Sequence, residues 1–127
     1  MTFSIEMSGA AQRHYHDGCK LLDDNRTDNA GYHFGLAAEC AIKGLLQGAG
    51  IRDDDSAMWE HFPKLKPVAL QSIHGRSAAP VRRLLEHDNF MQRWDIRMRY
   101  AKTGSIDRPT AERWRDQANE AMGLLIR

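Results

Sequence analysis

Apolar residues recur every three or four positions along most of the chain, which is the spacing of one face of an α-helix. A first helical stretch starts near Ser8 and ends at the polar run 23–25. A second starts at Thr27 or Asp28, either of which can cap a helix, and it ends at Gly48. The apolar face of this second helix consists of Ala30, Phe34, Ala37, Ala41 and Leu45.

The chain after the second helix favours short elements. Residues 49–60 are rich in aspartate, and we expect them to form an exposed acidic loop. Two prolines, Pro63 and Pro67, leave room for at most a short helix over residues 65–73. Pro80 suits the first turn of a further helix.

Helical spacing returns over residues 90–101, where apolar residues including Trp94 share one face. It returns again after Asp107 or Ser105, either of which can cap the last helix. No segment alternates convincingly between apolar and polar residues with the period of a strand. The pattern therefore predicts an all-α fold, an antiparallel up-and-down four-helix bundle with an additional short helix.

Length and composition indicate one domain over residues 1–127, of which residues 1–7 are expected to be flexible. Apolar residues make up 42% and charged residues 28%, ordinary values for a soluble protein. The longest stretch without a charge, Asn29 to Ala38, is far shorter than the roughly 18 apolar residues of a membrane span. We therefore expect a cytoplasmic protein that has no membrane segment.

The net charge of +1 conceals an uneven distribution. Residues 1–63 carry 5 basic and 10 acidic side chains, whereas residues 64–127 carry 13 and 7. The arginine-rich second half can face phosphate, because the planar guanidinium pairs with phosphate through two hydrogen bonds. The alternative is that the two oppositely charged halves attract one another, within the fold or across a dimer.

Small residues, among them Gly31, Gly35 and Gly44, make the second helix thin, although each glycine costs about 1 kcal/mol relative to alanine. This composition predicts the close approach of a neighbouring helix. The three tryptophans are expected to pack in the core. A short chain with thin helices also leaves surface that a second subunit can bury, so we predict a homodimer.

The second helix carries the run AAECAIKGLL, which is followed by HFPKL and later by WDIRMRY with its pair Arg99 and Tyr100. Over roughly Ala10 to Leu125 the chain resembles the HEPN (higher eukaryotes and prokaryotes nucleotide-binding) family of helical domains. The resemblance implies an antiparallel four-helix bundle that usually forms homodimers, with the helix bearing the Arg-Tyr pair at the contact. Members include ribonuclease toxins, RNA-processing domains and non-catalytic proteins associated with small nucleotidyltransferases.

Glu39 and Lys43 lie four residues apart within that run. Such a pair stabilises a helix by about 0.2 to 0.5 kcal/mol, and we favour this structural interpretation. A functional role would require both residues to be buried in a cleft. Buried charges are costly, so the pair would then have to be kept for a reason other than stability.

The ribonuclease members of the family use an arginine followed after four to six residues by a histidine, and Arg82 with His87 fits that spacing. The histidine can move the proton of a ribose 2′-hydroxyl, and the arginine can stabilise charge in the transition state. However, Arg83 stands where the family commonly has Asn, Asp or His, and the pair lies upstream of the Arg-Tyr region. The sequence therefore favours a non-catalytic protein, and the alternative is a metal-independent endoribonuclease that uses Arg82 and His87.

Arg93, Arg97, Arg99 and Tyr100 are the candidate binding residues for nucleotide or RNA. In this interpretation the arginines line a groove and Tyr100 stacks on a base. In the structural alternative, Arg99 pairs with Asp95 while Arg93 and Arg97 are solvated.

No metal or cofactor site is predicted. His14 and His16 would point about 200° apart on a regular helix, so they cannot bind one metal together. No glycine-rich phosphate loop follows a strand. The sequence thus predicts an accessory module that binds nucleotide or RNA, or a partner protein such as a small nucleotidyltransferase, without catalysis of its own.

Overall fold

The computed structural model describes residues 3–125, and within this range it contains helices and no strand. This confirms the predicted all-α class, as a helical bundle with additional short helices. Across the same range, no helix combines the length and the apolar character that crossing a membrane would need. Three 3-10 helices span Ser56–Trp59, Arg76–Ala78 and Ile96–Tyr100, and we call the last of them the RY helix. The α-helices are α1 (Met7–Asp23), α2 (Thr27–Gly48), α3 (Leu65–Ser72), α4 (Ala79–Glu86) and α5 (Arg108–Leu125).

The central element is α2, because both α1 and α5 pack against it. The close approach that its glycines predict is confirmed. The ring of Trp94 lies directly on Gly35, and the ring of Trp114 lies on Gly31. Both tryptophans belong to the same chain, so the thin faces at these two glycines are covered without a second subunit. The buried positions of the predicted apolar face are Ala30, Phe34, Ala37 and Ala41.

Thr27 and Asp28 do not cap α2, in contrast to the prediction. The helix begins at Thr27, and Arg26 occupies the cap position without a side-chain hydrogen bond. The Asp28 carboxylate instead accepts hydrogen bonds from the backbone N–H groups of Gly104 and Ile106, at 2.7 and 2.9 Å. The start of α2 therefore anchors the loop that leads into α5.

The other two long helices begin with an acidic cap. Asp107 accepts a hydrogen bond from the backbone N–H of Thr110 at the start of α5, as predicted. Helix α1 begins at Met7, one residue before the expected start, because the Glu6 carboxylate accepts from the backbone N–H of Gly9.

The helix predicted over residues 90–101 does not form. Met91 and Arg93 have φ angles of +53° and +71°, values that a right-handed helix excludes. Gln117 of α5 holds this turn, because its side chain accepts from the N–H of Met91 and donates to the carbonyl of Asn89, at 2.7 and 2.8 Å. The N–H of Met91 and the carbonyl of Asn89 are thus paired with α5.

The tryptophans divide between the core and the surface. Trp94 and Trp114 are buried, as predicted. Trp59 is 76% exposed, so its predicted place in the core is wrong. It ends the 3-10 helix that closes the acidic segment.

Candidate functional site

The predicted catalytic pair lies near the end of α4, but its two side chains do not line the same groove. Nη2 of Arg82 donates to the carbonyl of Ile73 at 2.9 Å, and Nη1 lies 3.9 Å from the Glu86 carboxylate. His87 follows α4 and is exposed. It lines a groove of about 430 Å³ together with Arg83 and without Arg82. The structure therefore brings His87 together with the arginine that the sequence motif did not select.

Arg97, at the start of the RY helix, forms an ion pair with Asp95. Its Nε and Nη2 donate to the two carboxylate oxygens of Asp95 at 3.1 and 2.8 Å. Hydrogen bonds from the Arg97 side chain and backbone lower the pKa of Asp95 to about 2. In the structural alternative, Arg99 pairs with Asp95. This is wrong, because Arg97 forms the ion pair with Asp95.

Arg99 and Tyr100 form an exposed pair at the end of the RY helix. The guanidinium carbon of Arg99 lies 5.2 Å from the centroid of the Tyr100 ring, which is within the range of a cation–π contact. Tyr100 is 79% exposed. Among the residues that the structure describes, Arg99 has no carboxylate partner within 4.0 Å.

A groove of about 470 Å³ adjoins this pair and is lined by Arg26, Asp28 and Arg99 among others. The Asp28 carboxylate is already hydrogen-bonded to two backbone N–H groups, as described above. Two arginines from different parts of the chain thus line the groove. We call Arg26, Arg99 and Tyr100 the Arg99–Tyr100 surface.

Arg93 lies apart from the other predicted binding residues, in the turn before the RY helix. The pKa of Asp107 is lowered chiefly by hydrogen bonds from Thr110, with a smaller contribution from the charge of Arg93. The four predicted binding residues thus do not line one groove.

Glu39 and His61 form a second arrangement, which the sequence did not predict. Glu39 lies in the middle of α2 and its side chain is only 3% exposed, whereas the side chain of His61 is 44% exposed. Nδ1 of His61 lies 2.7 Å from Oε1 of Glu39, and the backbone N–H of Phe62 donates to Oε2 at 2.7 Å. Burial raises the pKa of Glu39, while these two hydrogen bonds and the charge of Lys43 oppose the shift.

Lys43 is also buried, but it does not form an ion pair with Glu39. Within the described chain no nitrogen of Lys43 approaches a carboxylate oxygen to within 4.0 Å. The interpretation of these two residues as a helix-stabilising ion pair is therefore wrong. Both sides of the Glu39 carboxylate are occupied by the segment that carries His61 and Phe62.

His61 lines a third groove, of about 440 Å³, which α2 does not reach. Its lining carries two cationic residues, Lys64 and Arg97, and two acidic ones, Glu60 and Asp95. The buried carboxylate thus lies behind the histidine, and the groove lies in front of it.

The other histidine contact joins α1 to α2. His14 and His33 lie with their Nδ1 atoms 3.1 Å apart, and burial, followed by the charge of His33, lowers the pKa of His14. In the part of the chain that the structure describes, no group of three or more His, Cys, Asp or Glu residues is arranged to hold a metal ion.

Comparisons with protein-family models, with curated proteins and with solved structures found no match to this chain.

The burial of Glu39 could have been predicted from its position in the sequence. Glu39 lies at helical spacing with Gly35, Ile42 and Leu46, all of which are buried. A carboxylate at that register must find partners inside the fold. The sequence does not show that His61, 22 residues away, supplies one of them.

Proposed function

We propose that the chain is a HEPN-type accessory module that binds single-stranded RNA or a nucleotide through the Arg99–Tyr100 surface. The observation that carries this proposal is an almost fully exposed tyrosine ring beside a guanidinium group that has no carboxylate partner in the described chain. Stacking of a base on an aromatic ring, combined with arginine contacts to the backbone, is the way in which proteins hold single strands.

The adjoining groove supports a ligand that carries phosphate. Arg26 and Arg99 line it, and within the described residues neither forms an ion pair with Asp28, whose carboxylate accepts from backbone N–H groups. Arginine binds phosphate oxygens through charge-assisted hydrogen bonds. A base on Tyr100 with its phosphate at the groove would use both parts of the surface.

The geometry of Arg82 supports the non-catalytic form of this proposal over the ribonuclease alternative. Its guanidinium is committed to the Ile73 carbonyl and does not line the groove of His87. A general base and a charge-stabilising arginine must both reach the reacting phosphate. We therefore assign no catalysis to Arg82 and His87.

A second copy of the chain and a small nucleotidyltransferase, in a toxin–antitoxin or RNA-processing setting, are the protein partners that we propose from the resemblance. Exposed apolar side chains at Phe3 and Ile5 give a second copy apolar area to cover. Light scattering at micromolar concentration should give twice the monomer mass of 14.5 kDa. A mass of 14.5 kDa would remove the homodimer from the proposal.

Titration of labelled single-stranded RNA of mixed sequence tests the binding proposal. Tyr100→Ala should weaken binding by about 1 to 3 kcal/mol, because stacking on the ring is lost. Trp59→Ala is the matched control, since it removes an aromatic side chain of similar exposure elsewhere on the molecule. Equal losses in the two variants, or no binding by the parent protein, would contradict the proposal.

A further inference from the structure

The groove that adjoins the Arg99–Tyr100 surface has two walls from distant parts of the chain. The first wall is formed by residues 25–29, which join α1 to α2 and begin α2. The second wall is formed by residues within 98–104, at the end of the RY helix and in the turn after it. Arg26 belongs to the first wall and Arg99 to the second. A ligand that contacts both arginines therefore depends on the separation of the two walls.

Asp28 joins the two walls directly. Its Oδ2 accepts a hydrogen bond from the backbone N–H of Gly104 at 2.7 Å, and its Oδ1 accepts from that of Ile106 at 2.9 Å. Hydrogen bonds to an ionised carboxylate are stronger than those between neutral groups. Because Gly104 lies only five residues after Arg99, these bonds hold the turn that follows the RY helix against the start of α2.

The second wall is bonded within itself, so the position of Gly104 bears on the RY helix. The backbone N–H of Ala101 donates to the carbonyl of Met98 at 3.0 Å, and that of Ser105 donates to the carbonyl of Lys102 at 3.2 Å. Gly104 has a φ angle of +92°, which favours glycine and closes the turn tightly. Only a short stretch of chain thus separates the end of the RY helix from the contact with Asp28.

Other hydrogen bonds join neighbouring parts of the same segments. The Thr27 hydroxyl donates to the carbonyl of Ile106 at 2.9 Å, and Nη1 of Arg108 donates to the carbonyl of Leu22 at 3.2 Å. These contacts hold the start of α5 near the turn between α1 and α2. Among the residues that the structure describes, the bond from Gly104 to Asp28 is the one side-chain hydrogen bond that joins the two walls themselves.

The charge of Asp28 acts against an anionic ligand. A carboxylate that lines the groove repels a phosphate group placed there. On charge alone, removal of this carboxylate should strengthen the binding of RNA. A favourable contribution of Asp28 to binding can therefore come only from the position in which it holds the two walls.

We propose that Asp28 is a positioning residue of the Arg99–Tyr100 surface, which holds the two walls at the separation at which Arg26 and Arg99 contact one ligand. This inference rests on the proposed function, because it requires single-stranded RNA at this surface. Its consequence is that the loss of a negative charge from the groove weakens the binding of an anion.

Asp28→Asn separates the effect of position from that of charge. The asparagine oxygen can accept from one backbone N–H, but its N–H₂ cannot accept from the other. We expect the affinity for labelled single-stranded RNA of mixed sequence to fall by about 3- to 10-fold, within the range of coupling between residues in contact. Unchanged or tighter binding by the folded variant would overturn this inference and leave the proposed function standing, whereas absence of binding by the parent protein would overturn both.

Asp55→Asn is the matched control. Asp55 also accepts from a backbone N–H, that of Ala57 at 2.9 Å, and from the hydroxyl of Ser72 at 3.1 Å. It lies in the segment that follows the other end of α2, so the same change of charge is made away from the groove. This variant should bind RNA at least as tightly as the parent. Equal weakening in Asp28→Asn and Asp55→Asn would contradict a positioning role at the groove.

A double-mutant cycle with Arg26→Ala provides a readout that a purely structural role would not change. If Asp28 acts by placing Arg26 opposite Arg99, Asp28→Asn should no longer weaken binding once the Arg26 side chain is absent. The same loss of affinity in the parent and in the Arg26→Ala background would contradict the proposal.

Hydrogen exchange in the parent protein tests the same contact without a variant. The amides of Gly104 and Ile106 should exchange slowly, because both donate to Asp28. At an RNA concentration 100 times the Kd, their exchange should slow further, by up to about 100-fold, because the ligand requires the walls to stay joined. Exchange of both amides at the rate of an unstructured peptide, or no slowing by saturating RNA, would overturn the inference.

Discussion

Glu39 and Lys43 place two opposite charges inside the molecule without joining them in an ion pair. An ionised carboxylate loses its hydration on burial, and hydrogen bonds from the protein must replace it. For Glu39, the segment that carries His61 and Phe62 provides those bonds. Glu39 thus helps to hold this segment on α2, together with the buried ring of Phe62.

The raised pKa of Glu39 makes its contribution to stability depend on pH. Because the folded pKa lies above the ordinary value of 4.5, this contribution is complete below that value and is lost as pH rises through the folded pKa. Glutamine does not titrate. We therefore expect the unfolding free energy of the parent, relative to Glu39→Gln, to fall as pH rises above about 4.5.

Denaturant unfolding of both proteins at several pH values between 4 and 8 measures this difference in unfolding free energy. Titrating groups that do not contact Glu39 are common to the two proteins and largely cancel. A difference that increases with pH would show that the hydrogen bonds and the charge of Lys43 outweigh burial.

The sequence indicated the elements whose contacts are local and repetitive. The apolar spacing of α2 and the acidic cap of α5 were sufficient to locate both helices. The spacing over residues 90–101 was equally regular and identified buried side chains at Phe90 and Trp94. It could not show that Gln117, far along the chain, hydrogen-bonds to the backbone of a turn there.

The same limit applies to the candidate sites. In the structural alternative Arg97 is solvated, and its side chain is indeed 83% exposed, but two hydrogen bonds also join it to Asp95, two residues away. Arg99 and Tyr100 could be proposed from the residue types alone, whereas the approach of Arg26 and the partner of Glu39 depend on how the helices pack. The sequence pattern therefore does not predict contacts between segments that are distant along the chain.

At the level of a helix, Gly35 provides a direct test of the packing of α2. A Cβ atom at this position would collide with the buried ring of Trp94, so Gly35→Ala should destabilise the protein by about 1 to 3 kcal/mol. Gly48 lies in the same helix and has open space around it, so Gly48→Ala should be neutral or stabilise by up to about 1 kcal/mol. Thermal unfolding compares the two, and equal effects would contradict the close approach of Trp94.

Across the whole molecule, as far as the structure describes it, ion pairs do not join the acidic first half, residues 1–63, to the basic second half, residues 64–127. Within the described residues, every arginine that pairs with a carboxylate within 4.0 Å does so with a residue at most four positions away. The alternative in which the halves attract one another thus receives no support from close pairs inside the fold. The second half keeps exposed arginines available to an anionic partner, which is the condition that RNA binding requires.

The dependence of RNA affinity on salt tests this account most directly. Each phosphate neutralised on a single strand contributes a log–log slope of about −0.7, so Arg99→Ala should weaken binding and flatten the slope by about that amount. Tyr100→Ala should weaken binding with its slope nearly unchanged. Arg52→Ala, at an exposed arginine paired with Asp54, serves as the control and should alter neither. No RNA affinity at physiological salt, or the same slope in the parent and Arg99→Ala, would contradict the account.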